Sequence, residues 1–139
     1  EFGGSMWYAD VTFPARRNIN LLGVSGSGGL AINDTITVNA QVFTAKAAEV
    51  VASREFLLAT AGTADENVRA TAASLIKCIN RTSAANAYAI DISEPSPAGT
   101  PGSISIQRTD KTSNLTLAVS RASAWANIVA TTAPIRDQN

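Results

Sequence analysis

The stretch from Thr63 to Asn80, TADENVRATAASLIKCIN, reads as one helix, and the rest of the chain has to accommodate it. Thr63 followed three residues later by Glu66 is a capping box, in which each side chain satisfies a backbone N–H that the first turn leaves unpaired. Asp65 and Glu66 place negative charge at the positive end of the helix dipole. Val68, Ala72, Leu75, Ile76 and Ile79 recur at helical spacing and form one apolar stripe. Asn67, Arg69, Thr71, Ser74 and Lys77 fall largely away from that stripe. Asn80 is the expected stop, because asparagine tolerates the left-handed conformation in which helices often end.

The segments on either side alternate with the period of strands. Asp34 to Ala45, DTITVNAQVFTA, reads as a hairpin turning at Asn39-Ala40. In that register Val38 faces Gln41 and Ile36 faces Phe43, so Ile36, Val38, Phe43 and Ala45 share a face. Ala40 fits a tight turn poorly, since it carries a Cβ into positive φ. Lys46 to Ala52 is read as a helical turn or a bulged loop. Arg54 to Ala59 sends Phe56 and Leu58 toward the core.

Beyond the helix, AYAIDI (87–92) alternates Tyr88, Ile90 and Ile92 against Ala87, Ala89 and Asp91, and the larger set is expected to face inward. The loop from Glu94 to Gly102 is too rich in proline and glycine for a regular element. SISIQR (103–108) and LTLAV (115–119) add two more strands, which with the first make an antiparallel meander. The expected fold is α+β: a hairpin, one amphipathic helix and a three-stranded meander, with the helix laid on a small antiparallel sheet.

This core is expected to span residues 34–121. Residues 1–5 read as a cloning scar and linker. Residues 6–33 read as an N-terminal arm and a glycine-rich loop, in which Met6 to Phe13 is a strand or a docking arm ended by Pro14. Asn18 to Leu22 is a short strand. Residues 122–139 read as a C-terminal tail carrying Trp125.

Composition closes off several kinds of chemistry. There is no histidine, which removes Ser-His-Asp and Cys-His catalysis and the commonest metal ligand. Cys78 is the single cysteine, so no internal disulfide or cysteine-based zinc site can form; it reads as a small, partly buried hydrophobe beside the stripe. Charged residues make up 16% of the chain and the formal net charge is zero, which leaves no field to draw in nucleic acid or an anionic membrane. No apolar run approaches the ~20 residues of a membrane span.

The remaining motifs are weak. Gly26, Gly28 and Ala31 fit G-x-G-x-x-[GA], but the dinucleotide reading needs a helix directly after the loop, and here a strand follows. Ser74-Leu-Ile-Lys77 fits the S-x-x-K of penicillin-binding enzymes, without the S-D-N or K-T-G partners and with both residues assigned to the solvent side. Asn33-Asp-Thr, Asn80-Arg-Thr and Asn114-Leu-Thr are sequons at about the frequency that chance supplies. The chain is therefore expected to have no catalytic, cofactor-binding or metal-binding residues. Trp7, Tyr8 and Trp125 lie outside the expected core and are the candidate partner contacts.

The hairpin and helix together resemble a module common in bacteriophage tail and related surface proteins. That module pairs a D-T-I/V-T-V/I-N-G-x-x-F hairpin with a G-x-T/S-A-x-x-x-A-x-x-L-x-x-A/V-I-N helix, followed by short strands with a P-G turn. The matching stretches are Asp34 to Phe43, Gly62 to Asn80, and Pro101-Gly102 before Ser103 to Ile106. Ala40 stands where the family usually has glycine. The resemblance, over roughly residues 34–119, implies a virion structural role in a tail, baseplate or fibre, without catalysis. The implied partners are copies of itself, as a homo-oligomer, and other virion proteins, with no nucleic acid and no membrane. The alternative is a receptor- or glycan-binding module of a tail fibre or an extracellular adhesin.

Overall fold

The computed structural model describes residues 11–96 and 98–137. Helix α1 (Ala64–Arg81) begins as the sequence predicts: the Thr63 side chain accepts from the Glu66 N–H, and the Glu66 carboxylate accepts from the Thr63 N–H. It runs one residue past Asn80 and stops at Thr82, whose extended backbone breaks the pattern and whose hydroxyl donates to the Cys78 carbonyl at 2.8 Å. Asn80 is therefore helical and spends its side chain elsewhere.

The strands are β1 (Val11–Phe13), β2 (Arg16–Leu21), β3 (Thr35–Val38), β4 (Gln41–Lys46), β5 (Glu55–Leu57), β6 (Ala87–Asp91), β7 (Ser103–Arg108), β8 (Leu115–Val119), β9 (Trp125–Ala126), β10 (Thr131–Thr132) and β11 (Ile135–Asp137). The fold is α+β, with one α-helix among the described residues and three sheets. The largest has the order β10-β8-β3-β4-β5, the second β6-β7-β2-β9, and β1 pairs with β11 in a two-stranded ribbon. All pairings are antiparallel except β4 with β5.

The hairpin has the expected register, Ile36 opposite Phe43 and Val38 opposite Gln41. Ile36, Val38, Phe43 and Ala45 are all fully buried. Asn39 (φ 48°) and Ala40 (φ 72°) are both left-handed, as a type I′ turn requires, although Ala40 carries a Cβ.

The three-stranded meander does not form. β6 and β7 are neighbours, but β8 leaves them and pairs with β3 in the other sheet. Alternation in a strand identifies its apolar face but not its partner, and here both β7 and β8 face one core from opposite sheets. The second neighbour of β7 is β2, which the sequence assigns to an arm. Ile19 and Leu21 of β2 and Leu30 of the glycine-rich loop are core residues, so no boundary falls at Asp34. Residues 122–137 likewise contribute β9, β10 and β11 in place of a tail, as the chain passes from β8 to the second sheet and back to the first.

The helix does not lie on the face of one sheet. It packs along β5 and β6, the terminal strands of the two larger sheets, and closes that side of the sandwich. This reverses the expected face of β6: Ala87 and Ala89 are buried, while Tyr88, Ile90 and Ile92 are 42%, 53% and 41% exposed. Alternation puts the two sets on opposite faces, and the alanine set is the one turned toward the core.

Candidate interaction surface

The S-x-x-K pair on α1 comes into contact with Glu49, the strongest constellation of reactive groups among the described residues. The Ser74 hydroxyl donates to one Glu49 carboxylate oxygen at 2.7 Å and Lys77 Nζ donates to the other at 2.9 Å. Hydrogen bonds from Ser74 and then Lys77 lower the Glu49 carboxyl below its ordinary range. Ser74 is only 5% exposed, against the expected solvent side, and its oxygen also accepts the Leu57 N–H at 2.8 Å. Its proton faces a carboxylate and its lone pair a backbone donor, so the hydroxyl is committed to structure.

Thr71 and Cys78 act in the same way. Thr71 Oγ1 accepts the Ala59 N–H at 2.9 Å, and Cys78 Sγ donates weakly to the Glu55 carbonyl at 3.5 Å. One side of the helix thus supplies polar partners along the open edge of β5. Polar residues in that side are buried only because a strand edge needs what they offer. Burial, and secondarily the Glu49 charge, pushes the Cys78 thiol up to about 11, well away from a reactive thiolate.

The glycine-rich loop borders a cleft of about 510 Å³ that also meets the first turn of α1 at Ala64, Asp65 and Val68. Leu22, Val24 and Pro101 supply its apolar wall, and Ser25, Ser27 and Thr100 its hydroxyls. Among the described residues no lysine or arginine lines it, while the Asp65 carboxylate sits at the helix end where a phosphate would bind. The glycines serve the loop itself. A Cβ on Gly29 would lie 2.1 Å from the Ser25 carbonyl oxygen, and the tight closure, Ser25 N–H to Leu30 O at 2.8 Å, plants Leu30 in the core.

Of the residues expected to meet partners, Trp125 is 5% exposed and packs in the core, so its ring is used within the chain. Trp7 and Tyr8 lie outside the described residues. Tyr88, expected to point inward, is on the surface.

Six of the eleven exposed large apolar side chains lie on the solvent face of the β6-β7-β2-β9 sheet and on the terminal ribbon. Tyr88, Gln107 and Arg16 are in register across β6, β7 and β2. Arg16 and Gln107 in turn line a hollow with Phe13, Pro14 and Ile135, at the root of the terminal ribbon. Phe13 opposite Ile135, with Val11 on the same face by alternation, is 48%, 49% and 42% exposed respectively. Ile90 and Ile92 continue the row from Tyr88 toward Ser105 and Ser103. The remainder of that face is amide and hydroxyl, joined by Asn127 donating to Asn20 at 2.9 Å and Asn20 to Ser103 at 2.6 Å. Alternation in VTF and AYAIDI divides each strand into two sets; which set faces solvent is decided by the tertiary fold.

No helix among the described residues is long and apolar enough to cross a membrane, and no cluster of ligating side chains there can hold a metal ion. Comparison with protein-family models, curated proteins and solved structures finds no match to this chain.

Proposed function

We propose that this chain is a non-catalytic assembly domain of a phage-tail-like particle, acting through protein–protein packing on copies of itself and on other virion proteins. The observation that carries the reading is a pair of exposed apolar rows, Val11, Phe13 and Ile135 on the ribbon and Tyr88, Ile90 and Ile92 on β6, on either side of Gln107 and Arg16. Exposed apolar side chains in contiguous rows mark contact surfaces, whereas single ones need no explanation. The likeness of the hairpin and helix to phage tail modules supports the same reading. So does the commitment of the Ser74, Lys77 and Glu49 groups to holding β5 in place.

Light scattering on the purified chain tests it. A mass of two or more chains that falls to one in Ile90→Ser or Tyr88→Ser, with circular dichroism unchanged, is the expected result. A single-chain mass at every concentration, together with no binding to neighbouring particle proteins, overturns the reading.

A glycan- or receptor-binding module is the second reading, and Tyr88 favours it. Its exposed ring lies in register with Gln107 and Arg16, an aromatic surface beside groups that hydrogen-bond hydroxyls. Loss of glycan-array or cell binding in Tyr88→Ala, with the mass unchanged, would select it.

A further inference from the structure

We infer that the outer face of the β6-β7-β2-β9 sheet binds a sugar that carries a carboxylate, with the Arg16 guanidinium holding the carboxylate and Tyr88 and Gln107 the ring beside it. The inference rests on the glycan-binding reading and names the class of glycan.

Tyr88, Gln107 and Arg16 lie opposite one another on β6, β7 and β2. Neighbouring strands are about 4.8 Å apart, so the three side chains leave one face in a row roughly 10 Å long. At the Arg16 end the row meets a hollow of about 290 Å³, whose other walls are Phe13, Pro14 and Ile135. That volume is close to the lower end of small-molecule sites, and apolar walls with a few placed polar groups are their usual make-up. The polar groups of the face divide into two sets. Asn127, Asn20 and Ser103 are hydrogen-bonded to one another. The side chains of Arg16, Asn18, Ser105 and Gln107 have no partner among the described residues, although Ser105 is only 6% exposed.

Charge selects the substituent. Arg17, the next residue of β2, donates to the Asn127 carbonyl at 3.0 Å, and Arg108 of β7 pairs with Asp110 at 3.0 Å. Arg16 keeps its fork unused, and the outward residues of β2 and β7 include no carboxylate to take it. A guanidinium fork matches the two oxygens of a carboxylate, each accepting an N–H. The chain's zero net charge adds no general attraction for polyanions, so the site acts through this one contact. A sugar suits the rest of the face better than an acidic peptide does. Asn18, Ser105 and Gln107 each offer a donor and an acceptor to a hydroxyl, whereas apolar peptide flanks would cover them without pairing them.

The test is an array of uronic-acid, sialic-acid, sulfated and neutral oligosaccharides, followed by calorimetric titration of the glycans it retains. Binding is expected among the carboxylated glycans alone. Arg16→Gln should weaken it about tenfold or more, and Arg16→Lys by less, because lysine keeps the charge but loses the fork. Lys111→Gln removes the same charge from the exposed turn after β7 and should leave binding unchanged. Arg16 is exposed and its side chain holds no other described residue, so circular dichroism should show the same fold in every variant. Neutral or sulfated glycans bound as well as carboxylated ones overturn the carboxylate assignment and leave the glycan reading standing. So does an Arg16→Gln chain that binds as the wild type does, or an equal loss in Lys111→Gln, which would mean general charge. No binding to any class overturns both.

Discussion

The side-chain amide of Asn80 hydrogen-bonds both backbone groups of Ala89. Nδ2 donates to the Ala89 carbonyl at 3.0 Å, and Oδ1 accepts the Ala89 N–H at 2.7 Å. An amide matches the donor–acceptor pair that a neighbouring strand would present, so one helical residue stands in for a strand on the outer edge of β6. Asn80→Ala should leave both Ala89 groups without that partner and cost about 1–3 kcal/mol. Asn80→Asp should cost at least as much, since the carboxylate keeps the acceptor but meets the Ala89 carbonyl oxygen with no donor. Urea unfolding monitored by circular dichroism measures both; an Asp variant as stable as the parent would refute the role.

The hairpin turn can be improved. Ala40 is exposed and held at φ 72°, where a Cβ costs about 1–2 kcal/mol and glycine costs nothing. Part of that gain is returned as glycine's greater freedom in the unfolded chain. Ala40→Gly should therefore stabilise the protein by about 0.5–1 kcal/mol, visible as a higher denaturant midpoint with the same slope.

Cys78 should report on opening of the helix. It is fully buried against β5, and its thiol is pushed up to about 11. At pH 8 an alkylating reagent should label the native chain orders of magnitude more slowly than the urea-unfolded chain, at a rate set by unfolding. The raised value also has a pH consequence. The unfolded thiol ionises near 9.0, so the stability contributed by the buried neutral form is whole below that pH and is lost as pH rises from there toward about 11. Cys78→Ala should flatten that alkaline decline.

At the acid end the sign is opposite. Burial alone would raise the Asp34 carboxyl, but hydrogen bonds from Arg121 and the Ala31 N–H outweigh it and hold the group below its ordinary 3.8. Its contribution is complete above that value and is lost as pH falls through the lower folded value. Asp34 ties the turn before β3 to Ser120 and Arg121 after β8, so Asp34→Asn should lower stability at neutral pH and lessen the loss between pH 4 and pH 2. Unfolding midpoints measured across that range test it; parallel curves for the two proteins would count against the network.

What the amino-acid order determines by itself is local. The capping box at Thr63 and Glu66 and the Ile36–Phe43 register depend on residues within a few positions of one another, so spacing and propensity suffice to write them down. The partners of the strands are another matter. Ile19 and Leu21 look like a short arm strand until β7 and β9 flank them, and Trp125 looks like a surface anchor until β9 carries it under the second sheet. Ser74 and Thr71 read as solvent-facing because burying a hydroxyl without a partner is costly, and their partner, the edge of β5, arrives only with the tertiary fold. The same helix decides the candidate surface. Alternation divides Tyr88, Ile90 and Ile92 from Ala87 and Ala89, but both sets are apolar, and nothing along the strand says which is covered. With the helix closed along β6, the alanines are turned into the core and the larger side chains are left facing solvent.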